Sequence, residues 1–435
     1  MAVRDRSFDP VQVAHAGGVA AGLEGAAATG AGAVLLWGWM FAPPGHEVEL
    51  ACDLGGVIVP VELLDRPPRP DVVENFAASV QSRTAEVGFL GLAHTDAETL
   101  RNARGRITLS VRSGDQTGTT ANRLLFEPGS TFDETVARRT PTRVMRPEAL
   151  RRAALGLWPP ESARILGQAL QSMRVQRVGP ARAPELSIVI PLSDDIGALR
   201  QTLSYLDMDG ESARTEVVLS VARSELWSSV EQGVQDAATD LSLVLVTTGE
   251  ALSVGGAARV GLQAAAAERV ILVSDAIAPP SRGWISSVLE DLAASEFAAP
   301  DSLPRFDGLP HRFEPRSPGR DASIWSHESV TDSLAELGRR LGLDRRSPGL
   351  VAARRRALLD ADIAWGEAIN GPAFWAGLLN EALRRNASSL RSGGLFTYAP
   401  VSGPAVADDE LLDTYALEQR LRGALSPVEP SAEPS

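Results

Sequence analysis

Three aspartates stand where a metal ion or a nucleotide could be held. Asp275 directly follows an apolar run with the pattern of a buried strand, and Asp194 and Asp195 follow another such run. Carboxylate oxygens at a strand end can bind a divalent cation such as Mg²⁺ or Mn²⁺. A structural role is also open at each place. Asp275 can cap a turn, and Asp194 or Asp195 can cap the helix that the pattern predicts from Ile196.

The elements that would position these aspartates alternate between strand and helix from Glu185 onward. Continuous apolar runs of strand length alternate with amphipathic segments of helical spacing, which is typical of a parallel sheet covered by helices on both faces. Ligands bind at the carboxyl ends of the strands in such sheets. The predicted strands are 186–190, 216–221, 241–246 and 269–274, and the predicted helices are 196–206, 226–240 and 255–267.

The first 131 residues have a different pattern, in which short β runs are separated by clusters of glycine and proline. This spacing predicts an antiparallel, all-β sandwich domain. Trp37 and Trp39 lie two residues apart in one of the runs, so they share one face of the strand. They are either part of the domain's core or a glycan-binding surface. The predicted strands are 32–40, 47–52, 56–63, 87–92 and 106–112.

Residues 132–183 predict a helical connector. Two segments, 148–157 and 161–174, place Leu, Ile and Met at helical spacing, and Pro159-Pro160 is expected to break them into separate helices. Beyond the second domain, residues 406–435 predict a C-terminal helix followed by a disordered tail that is rich in Pro, Ser and Glu.

Charge and composition exclude several classes of function. The net charge of −13 over 435 residues argues against nucleic acid as a partner, because a phosphate-binding face needs an excess of basic residues. The single cysteine, Cys52, leaves no intrachain disulfide and no cysteine-based metal site. The sequence starts without a signal-peptide pattern, and its longest apolar runs are about half of what a membrane span requires. We therefore expect a cytoplasmic protein with no transmembrane segment.

Four segments, in order and spacing, resemble glycosyltransferase family 2, whose members have the GT-A fold. They are an opening strand and helix, a helix rich in glycine and alanine, a strand with the loop that carries a metal-binding acidic motif, and a small-residue strand. The segments are 184–203, 252–264, 270–285 and 347–358. The resemblance covers residues 184 to about 400 and is that of a divergent bacterial member with an N-terminal β-sandwich. We accordingly expect a Rossmann-like α/β GT-A domain over residues 184–405.

The resemblance implies transfer of a sugar from a UDP- or GDP-sugar donor to a cell-surface glycan or glycoconjugate acceptor, with Mg²⁺ or Mn²⁺ as cofactor. Asp275 matches the second acidic position of the family's metal motif, whereas Val273 fills the first and cannot bind a metal. Asp194 and Asp195 lie where the family's nucleotide pocket begins.

Further site residues follow from the same resemblance. Gly255, Gly256 and Arg259 lie in the glycine-rich helix, with Arg259 in place of the family's usual Asn. Arg223 stands in the segment that normally brings an Asp to the nucleotide base, and it could meet a phosphate or be a surface arginine. Glu367 is the carboxylate nearest to the position expected for the general base, and it could instead be a solvated residue.

A second interpretation belongs to a different class of protein. Because acidic residues are missing at three family positions, the domain could be catalytically degenerate. It would then bind carbohydrate, or hold glycan-assembly partner proteins together as a scaffold. A carboxylate cluster around Asp275 would favour the enzyme, and an apolar strand end would favour the scaffold.

Overall fold

The computed structural model describes part of the chain, in two compact units. The units comprise residues 1–161 with 322–326, and residues 162–321 with 327–435. The described residues are 13–43, 45–76, 86–126, 147–181, 183–192, 199–208, 212–237, 240–275, 277–278, 283–301, 303–304, 310–311, 336–341, 343, 349–361, 363, 371–390 and 397–398. No helix among them is both long enough and apolar enough to cross a membrane.

The first unit is built mainly of β-strands. Its strands are β1 (Val13–Ala16), β2 (Val19–Ala28), β3 (Ala33–Phe41), β4 (Glu49–Leu54), β5 (Val57–Pro60), β6 (Glu62–Asp65), β7 (Gly88–His94), β8 (Arg106–Ser113) and β9 (Gln116–Phe126). Its helices are α1 (Pro70–Phe76), α2 (Ala97–Asn102) and the first part of α3 (Pro147–Ser172).

The strands of this unit form a nine-stranded sheet in the order β5-β4-β8-β9-β2-β3-β7-β6, with β1 added on β2. All pairings are antiparallel except that of β2 with the end of β9. The strands at the two ends of the order, β5 and β6, are consecutive in the chain with Val61 between them. The chain therefore passes directly from one end of the strand order to the other. The β-rich character predicted for this segment is confirmed, whereas its division into the two packed layers of a sandwich stays a prediction.

Trp37 and Trp39 lie on one face of β3, as the alternation predicted, and both are buried, with 5% and 2% of their surface exposed. Their rings lie over glycines of the neighbouring strand β2: a Cβ on Gly22 would come within 2.5 Å of the Trp39 ring, and a Cβ on Gly25 would overlap with Trp37. Trp39 packs with Phe41 and with Val72 of α1. The two indoles are thus packing residues, and the alternative of a glycan-binding surface is wrong.

An arginine bracketed by two carboxylates fixes the start of α1. The Arg69 guanidinium donates to both oxygens of Glu24 in β2, at 2.7 and 2.9 Å, and to both oxygens of Asp71, at 2.9 and 2.7 Å. The hydrogen bonds from Arg69 hold the pKa of Asp71 below its ordinary value of 3.8. This network ties the first turn of α1 to the strand beneath the tryptophans.

Helix α3 continues through Pro159-Pro160 from Pro147 to Ser172, so the predicted break into two helices is wrong. Residues on both sides of the prolines are anchored within the first unit. Leu157 is fully buried, and the Glu161 carboxylate accepts a hydrogen bond from Ala31 N at 2.7 Å. This packing outweighs the loss of two backbone donors to proline.

The second unit alternates strands and helices. Its strands are β10 (Arg174–Val178), β11 (Leu186–Leu192), β12 (Thr215–Val221), β13 (Ser242–Thr247), β14 (Arg269–Val273), β15 (Ile277–Ala278), β16 (Phe297–Ala299), β17 (Leu303–Pro304), β18 (Pro310–His311), β19 (Leu350–Arg354), β20 (Ser388–Ser389) and β21 (Thr397–Tyr398). Its helices after α3 are α4 (Leu199–Asp207), α5 (Trp227–Ala237), α6 (Val254–Ala264), α7 (Trp284–Ala294), α8 (Arg355–Leu359) and α9 (Gly371–Arg384), with single 3₁₀ turns at Ser212–Arg214 and Ser224–Leu226.

The main sheet of this unit has eight strands in the order β10-β13-β12-β11-β14-β19-β16-β20. Its centre, from β13 to β14, is parallel. Helices α4, α5 and α7 bury apolar residues against one face. Helix α6 packs on the other face so closely that a Cβ on Gly261 would lie 2.7 Å from Val189. The α/β class, the parallel strands and the helices on both faces are therefore confirmed.

A buried carboxylate lies at the amino ends of these parallel strands. Glu216 of β12 is 1% exposed and accepts a hydrogen bond from Ser187 Oγ of β11 at 2.6 Å and one from Ala266 N. Ser187 Oγ in turn accepts from Ala267 N at 3.0 Å. Arg177 of β10 approaches the other Glu216 oxygen at 3.4 Å. The Glu216 side chain of β12 therefore contacts groups from β11, from β10 and from the loop after α6.

Strand β10 forms one edge of the sheet. The sequence pattern did not predict this strand, and the helix predicted before it was extended to residue 174. Four of its five residues are exposed and the last is partly so. Without a buried side, the strand has no alternation of apolar and polar residues that could reveal it.

We predict that Gly22→Ala lowers the free energy of unfolding by about 1–3 kcal/mol, because the added methyl group has to displace the Trp39 ring. Thermal unfolding monitored by circular dichroism measures the change. The matched control is Gly167→Ala, at an open helical position with nothing within 4 Å of the new Cβ. That substitution should stabilise by up to about 1 kcal/mol. Equal stability of the Gly22 variant and the wild type would contradict the packing described here.

We predict that Arg69→Gln destabilises the protein by about 1 kcal/mol at pH 7, and that this difference shrinks in acid. The pKa of Asp71 is lower in the folded state than its ordinary 3.8. The interaction of the Asp71 carboxylate with Arg69 therefore stabilises the fold fully above about pH 4. This stabilisation is lost as the pH falls through the lower pKa that Asp71 has in the folded state. Urea unfolding from pH 7 to pH 3 measures both effects. Arg112→Gln, which removes a pair exposed on both sides, is the control and should change little at any pH.

Candidate active site at the carboxyl edge of the parallel strands

The candidate site lies where the strand order of the parallel sheet reverses. From β11 the chain adds β12 and β13 on one side, and then returns to add β14 on the other side. The carboxyl ends of β11 and β14 are thus neighbours, about 5 Å apart. A crevice forms outside the strand ends at such a point, because the two connections leave in opposite directions. Asp275 follows β14 there, and Asp194 and Asp195 follow β11 in the sequence.

Backbone hydrogen bonds extend beyond the strands at this edge. Ala222 N donates to Leu192 O at 2.9 Å, and Ala222 O accepts from Leu252 N at 2.8 Å. The segments that leave β11, β12 and β13 are therefore tied together just below the crevice. Arg223 directly follows Ala222, and α6 begins two residues after Leu252, so both lie next to these hydrogen bonds.

Asp275 lies in a tight turn after β14. Ile277 N donates to Ser274 O at 3.0 Å and closes the turn, and Ser274 N donates to Gly349 O at 2.7 Å. Ser274 Oγ lies 3.4 Å from Asp275 Oδ1. The Asp275 side chain is partly exposed. Its place in the turn agrees with the capping interpretation and leaves a carboxylate oxygen close to the strand end, so both interpretations of Asp275 stay predictions.

Val273, at the position of the missing first acid, does not face the crevice. It is 5% exposed and belongs to the apolar core between the sheet and helices α4 and α7. A small apolar cavity beneath the strand end is lined by Ile188, Ile190, Thr202, Leu206, Ile271, Val273, Ile277 and Trp284. The valine thus completes a hydrophobic wall below Asp275.

Arg223 and the two glycines lie farther along the same edge. Arg223 is exposed and precedes the 3₁₀ turn, with its carbonyl accepting from Leu226 N at 3.1 Å. Gly255 and Gly256 are buried in the first turn of α6. Gly256 N donates to Ser253 Oγ, the N-cap, at 3.0 Å. A phosphate at that N–H would have to displace the serine hydroxyl. The nucleotide-binding role of these three residues stays a prediction.

Arg259, in the second turn of α6, has a defined partner in the protein. Its Nη1 donates to Leu359 O, the last carbonyl of α8, at 2.7 Å. Burial lowers the pKa of the Arg259 guanidinium below its ordinary value, and the nearby charge of Asp360 opposes that shift. The expected contact of Arg259 with a nucleotide stays a prediction.

Three of the predicted site residues, Asp194, Asp195 and Glu367, lie outside the described residues. Within the described part of the chain, no group of three or more His, Cys, Asp or Glu side chains could hold a metal ion. A divalent ion held by Asp275 could complete its coordination with diphosphate oxygens and water.

Two residues that the sequence pattern did not reveal shape this region. Gly349 has a φ of 102°, and a Cβ there would lie 2.8 Å from Ile277 Cδ1, so glycine is needed for the turn to pack on β19. Arg355, at the start of α8, donates from Nη1 to Ala265 O at 2.7 Å. It lies in the run of three arginines at 354–356, and such a run carries no signal in the sequence that one of them has a partner in the protein.

No family model matches this sequence, and no curated protein matches it. Solved structures that it is similar to include S. aureus TarS 1-349 in complex with UDP-GlcNAc, at 16% identity over 51% of this chain and 60% of that chain, with a TM-score of 0.33. Another is Mycobacterium tuberculosis glucosyl-3-phosphoglycerate synthase with Mn²⁺, UDP and phosphoglyceric acid, at 16% identity over 56% and 77% of the two chains and a TM-score of 0.33.

A third is the mannosyltransferase PcManGT from Pyrobaculum calidifontis with GDP-Man and Mn²⁺, at 14% identity over 67% and 85% of the two chains, again with a TM-score of 0.33. The chain spans only 60% of the TarS fragment that it matches. At these TM-scores, the solved structures are too loosely similar to the chain to identify its activity.

We predict that Val273→Asp fails to create a metal site and lowers the free energy of unfolding by about 3 kcal/mol or more, because it places a carboxylate in an apolar wall. Val273→Thr, which keeps the shape and replaces one methyl group with a hydroxyl, is the control and should cost less. Thermal unfolding and Mn²⁺ titration measure the two effects. A stable Val273→Asp variant with increased Mn²⁺ affinity would show that this side chain reaches the crevice.

Proposed function

We propose that the chain is a glycosyltransferase of the GT-A type, with its catalytic domain in residues 184–405. It would transfer a sugar from a UDP- or GDP-sugar donor to a cell-surface glycan or glycoconjugate. The observation that carries the proposal is the reversal of strand order between β11 and β14, which sets the turn of Asp275 at the edge of a crevice. The motif order and spacing that resemble glycosyltransferase family 2 fall on the same strands.

In this proposal Asp275 holds Mg²⁺ or Mn²⁺ together with the donor's diphosphate. The ion would neutralise the charge that develops on the diphosphate as the bond to the anomeric carbon breaks. Asp275 anchors the donor at the end of β14, and its turn is held by the Ser274–Gly349 hydrogen bond. With Asp275 as the carboxylate that binds the ion, we expect weak metal binding in the absence of nucleotide, because most oxygen ligands of the ion would come from the diphosphate of the sugar donor.

The other proposed roles follow the order of the strands. Asp194 and Asp195 contact the nucleotide after β11, and Arg223 meets a phosphate after β12. Gly255 and Gly256 allow the backbone at the start of α6 to approach the donor. Glu367 takes the proton from the acceptor hydroxyl as general base, a step that is typically worth about 10²- to 10⁴-fold in rate.

The first unit and the setting of the reaction also belong to the proposal. We infer an all-β sandwich in residues 1–131, a helical connector in 132–183, and a C-terminal helix and tail in 406–435. Contacts with glycan-assembly proteins belong to the same proposal and follow from the resemblance. A place in the cytoplasm rests on apolar runs that are shorter than a membrane span, and the lack of a nucleic-acid partner rests on the net charge of −13.

A second candidate function is that of a catalytically degenerate, carbohydrate-binding or scaffold domain. The burial of Val273 favours it, because that position has become part of the core. The described residues also bring no cluster of acidic side chains to Asp275. Nucleotide binding separates the two candidates.

We predict metal-dependent binding of UDP or GDP that is weakened at least about tenfold, or 1.4 kcal/mol, by Asp275→Ala. Isothermal titration of each nucleotide with and without Mn²⁺ measures it. Asp240→Ala, an exposed acid on the amino side of β13, is the matched control and should bind as the wild type does. If the folded wild type binds neither nucleotide, the enzyme proposal fails and the scaffold candidate is favoured.

A further inference from the structure

The hairpin of β4 and β5 exposes apolar side chains at one end of the first unit's strand order. Ile58 is 73% exposed and Val57 is 46% exposed, which are large fractions for aliphatic residues. Strand β5 ends the strand order and pairs with β4. The segment around it, residues 54–61, contains no charged side chain. Charged residues usually protect the open edge of a sheet, and this edge lacks them.

The backbone of Ile58 points away from β4. Val61 N donates to Leu50 O at 2.9 Å, so these two residues form a hydrogen-bonded pair at the end of the ladder. Hydrogen-bonded pairs alternate with non-hydrogen-bonded pairs along an antiparallel ladder. By this alternation Val57 and Val59 also bond to β4, whereas the N–H and C=O groups of Ile58 lie on the outer edge.

The neighbouring groups limit how a second strand can pair with this edge. Pro60, the next outward residue, has no N–H. On the other side of Ile58, Gly56 N donates to Asp53 Oδ1 at 2.6 Å. Within β5, all of which the structure describes, Ile58 therefore carries the single outward N–H. A two-fold axis beside Ile58 uses this N–H and its carbonyl together, because the two residues of a hydrogen-bonded antiparallel pair each donate to the other.

A second copy of the chain fits this edge better than a flexible peptide or a charged partner does. One reciprocal pair of hydrogen bonds is too little to offset the ordering of a flexible peptide, whereas a second folded copy brings an edge that is already formed. A charged partner finds no opposite charge in residues 54–61. Two copies with a net charge of −13 each repel one another least where the contact itself is uncharged.

We propose that the chain forms a two-fold symmetric dimer in which β5 pairs antiparallel with β5 of a second copy, so that Ile58 lies beside the partner's Ile58. Such a contact is closed, because each copy uses its edge once. The two isoleucine side chains lie on the same face of the joined strands, with their Cβ atoms about 5 Å apart, and exclude water from each other. The contact is small, so the dimer is weak.

Analytical ultracentrifugation of the full chain tests the dimer. Between about 5 and 200 µM the mass should rise from that of the 46.0 kDa chain towards twice that value. Ile58→Glu should raise the dissociation constant at least about 100-fold, because it places two like charges opposite each other. Met208→Glu, at an exposed position in the second unit, adds the same charge and should dimerise as the wild type does. A wild type that stays monomeric over this range overturns the proposal, as does an Ile58→Glu variant that dimerises normally.

Crosslinking tests the position of the two-fold axis independently of any loss of dimer. Ile58→Cys chains should join to one another with a short bismaleimide, whereas Met208→Cys chains should not. The native thiol does not interfere, because Cys52 is buried and its burial raises its pKa to about 12. A dimer that forms without the crosslink at position 58 has its interface elsewhere, and that result also overturns the proposal.

Discussion

The buried carboxylate of Glu216 is the constraint on which the second unit depends. A carboxylate that is 1% exposed is costly unless its oxygens are satisfied, and here a hydroxyl, a backbone amide and a guanidinium surround it. Because these groups come from β11, the loop after α6 and β10, the side chain holds the register of the parallel strands at their amino ends. Because the strands are paired along their length, the same register sets the relative positions of their carboxyl ends, where the candidate site lies.

The fold was predictable where the apolar pattern is strong. The strands β11 to β14 and the helices between them follow the alternation of the sequence, because a strand buried on both faces has to be continuously apolar. The prediction failed where packing or pairing decides the structure. Helix α3 passes through two prolines because Leu157 and Glu161 anchor it on either side. The long strand β2 is rich in alanine and glycine, which have low strand propensity, and it is held by pairing with β3 and β9, while Gly22 and Gly25 leave room for the two indole rings.

The candidate site was predictable in its place and less so in its details. The sequence predicted that Asp275 follows a buried strand, and the structure places it in the turn after β14. What the pattern could not reveal is the direction of each side chain. Val273 belongs to the core below the strand end, and Arg259 turns to a helix carbonyl. The spacing of residues along a chain cannot distinguish an arginine that binds a phosphate ligand from one that donates to a backbone carbonyl, because the guanidinium group forms both kinds of hydrogen bond.

The exposed edge strand β10 has a consequence for aggregation. An open edge presents backbone groups that a second chain can pair with, and charged side chains along the edge oppose such pairing. Two copies meeting edge to edge would gather four guanidiniums along a ladder of five residues, since each brings Arg174 and Arg177. Arg177 is also the cation that approaches Glu216. Arg177 therefore contributes both to resistance against aggregation and to the stability of the fold. An apolar residue at position 177 would reduce the charge repulsion between edges and would also remove the cation near Glu216.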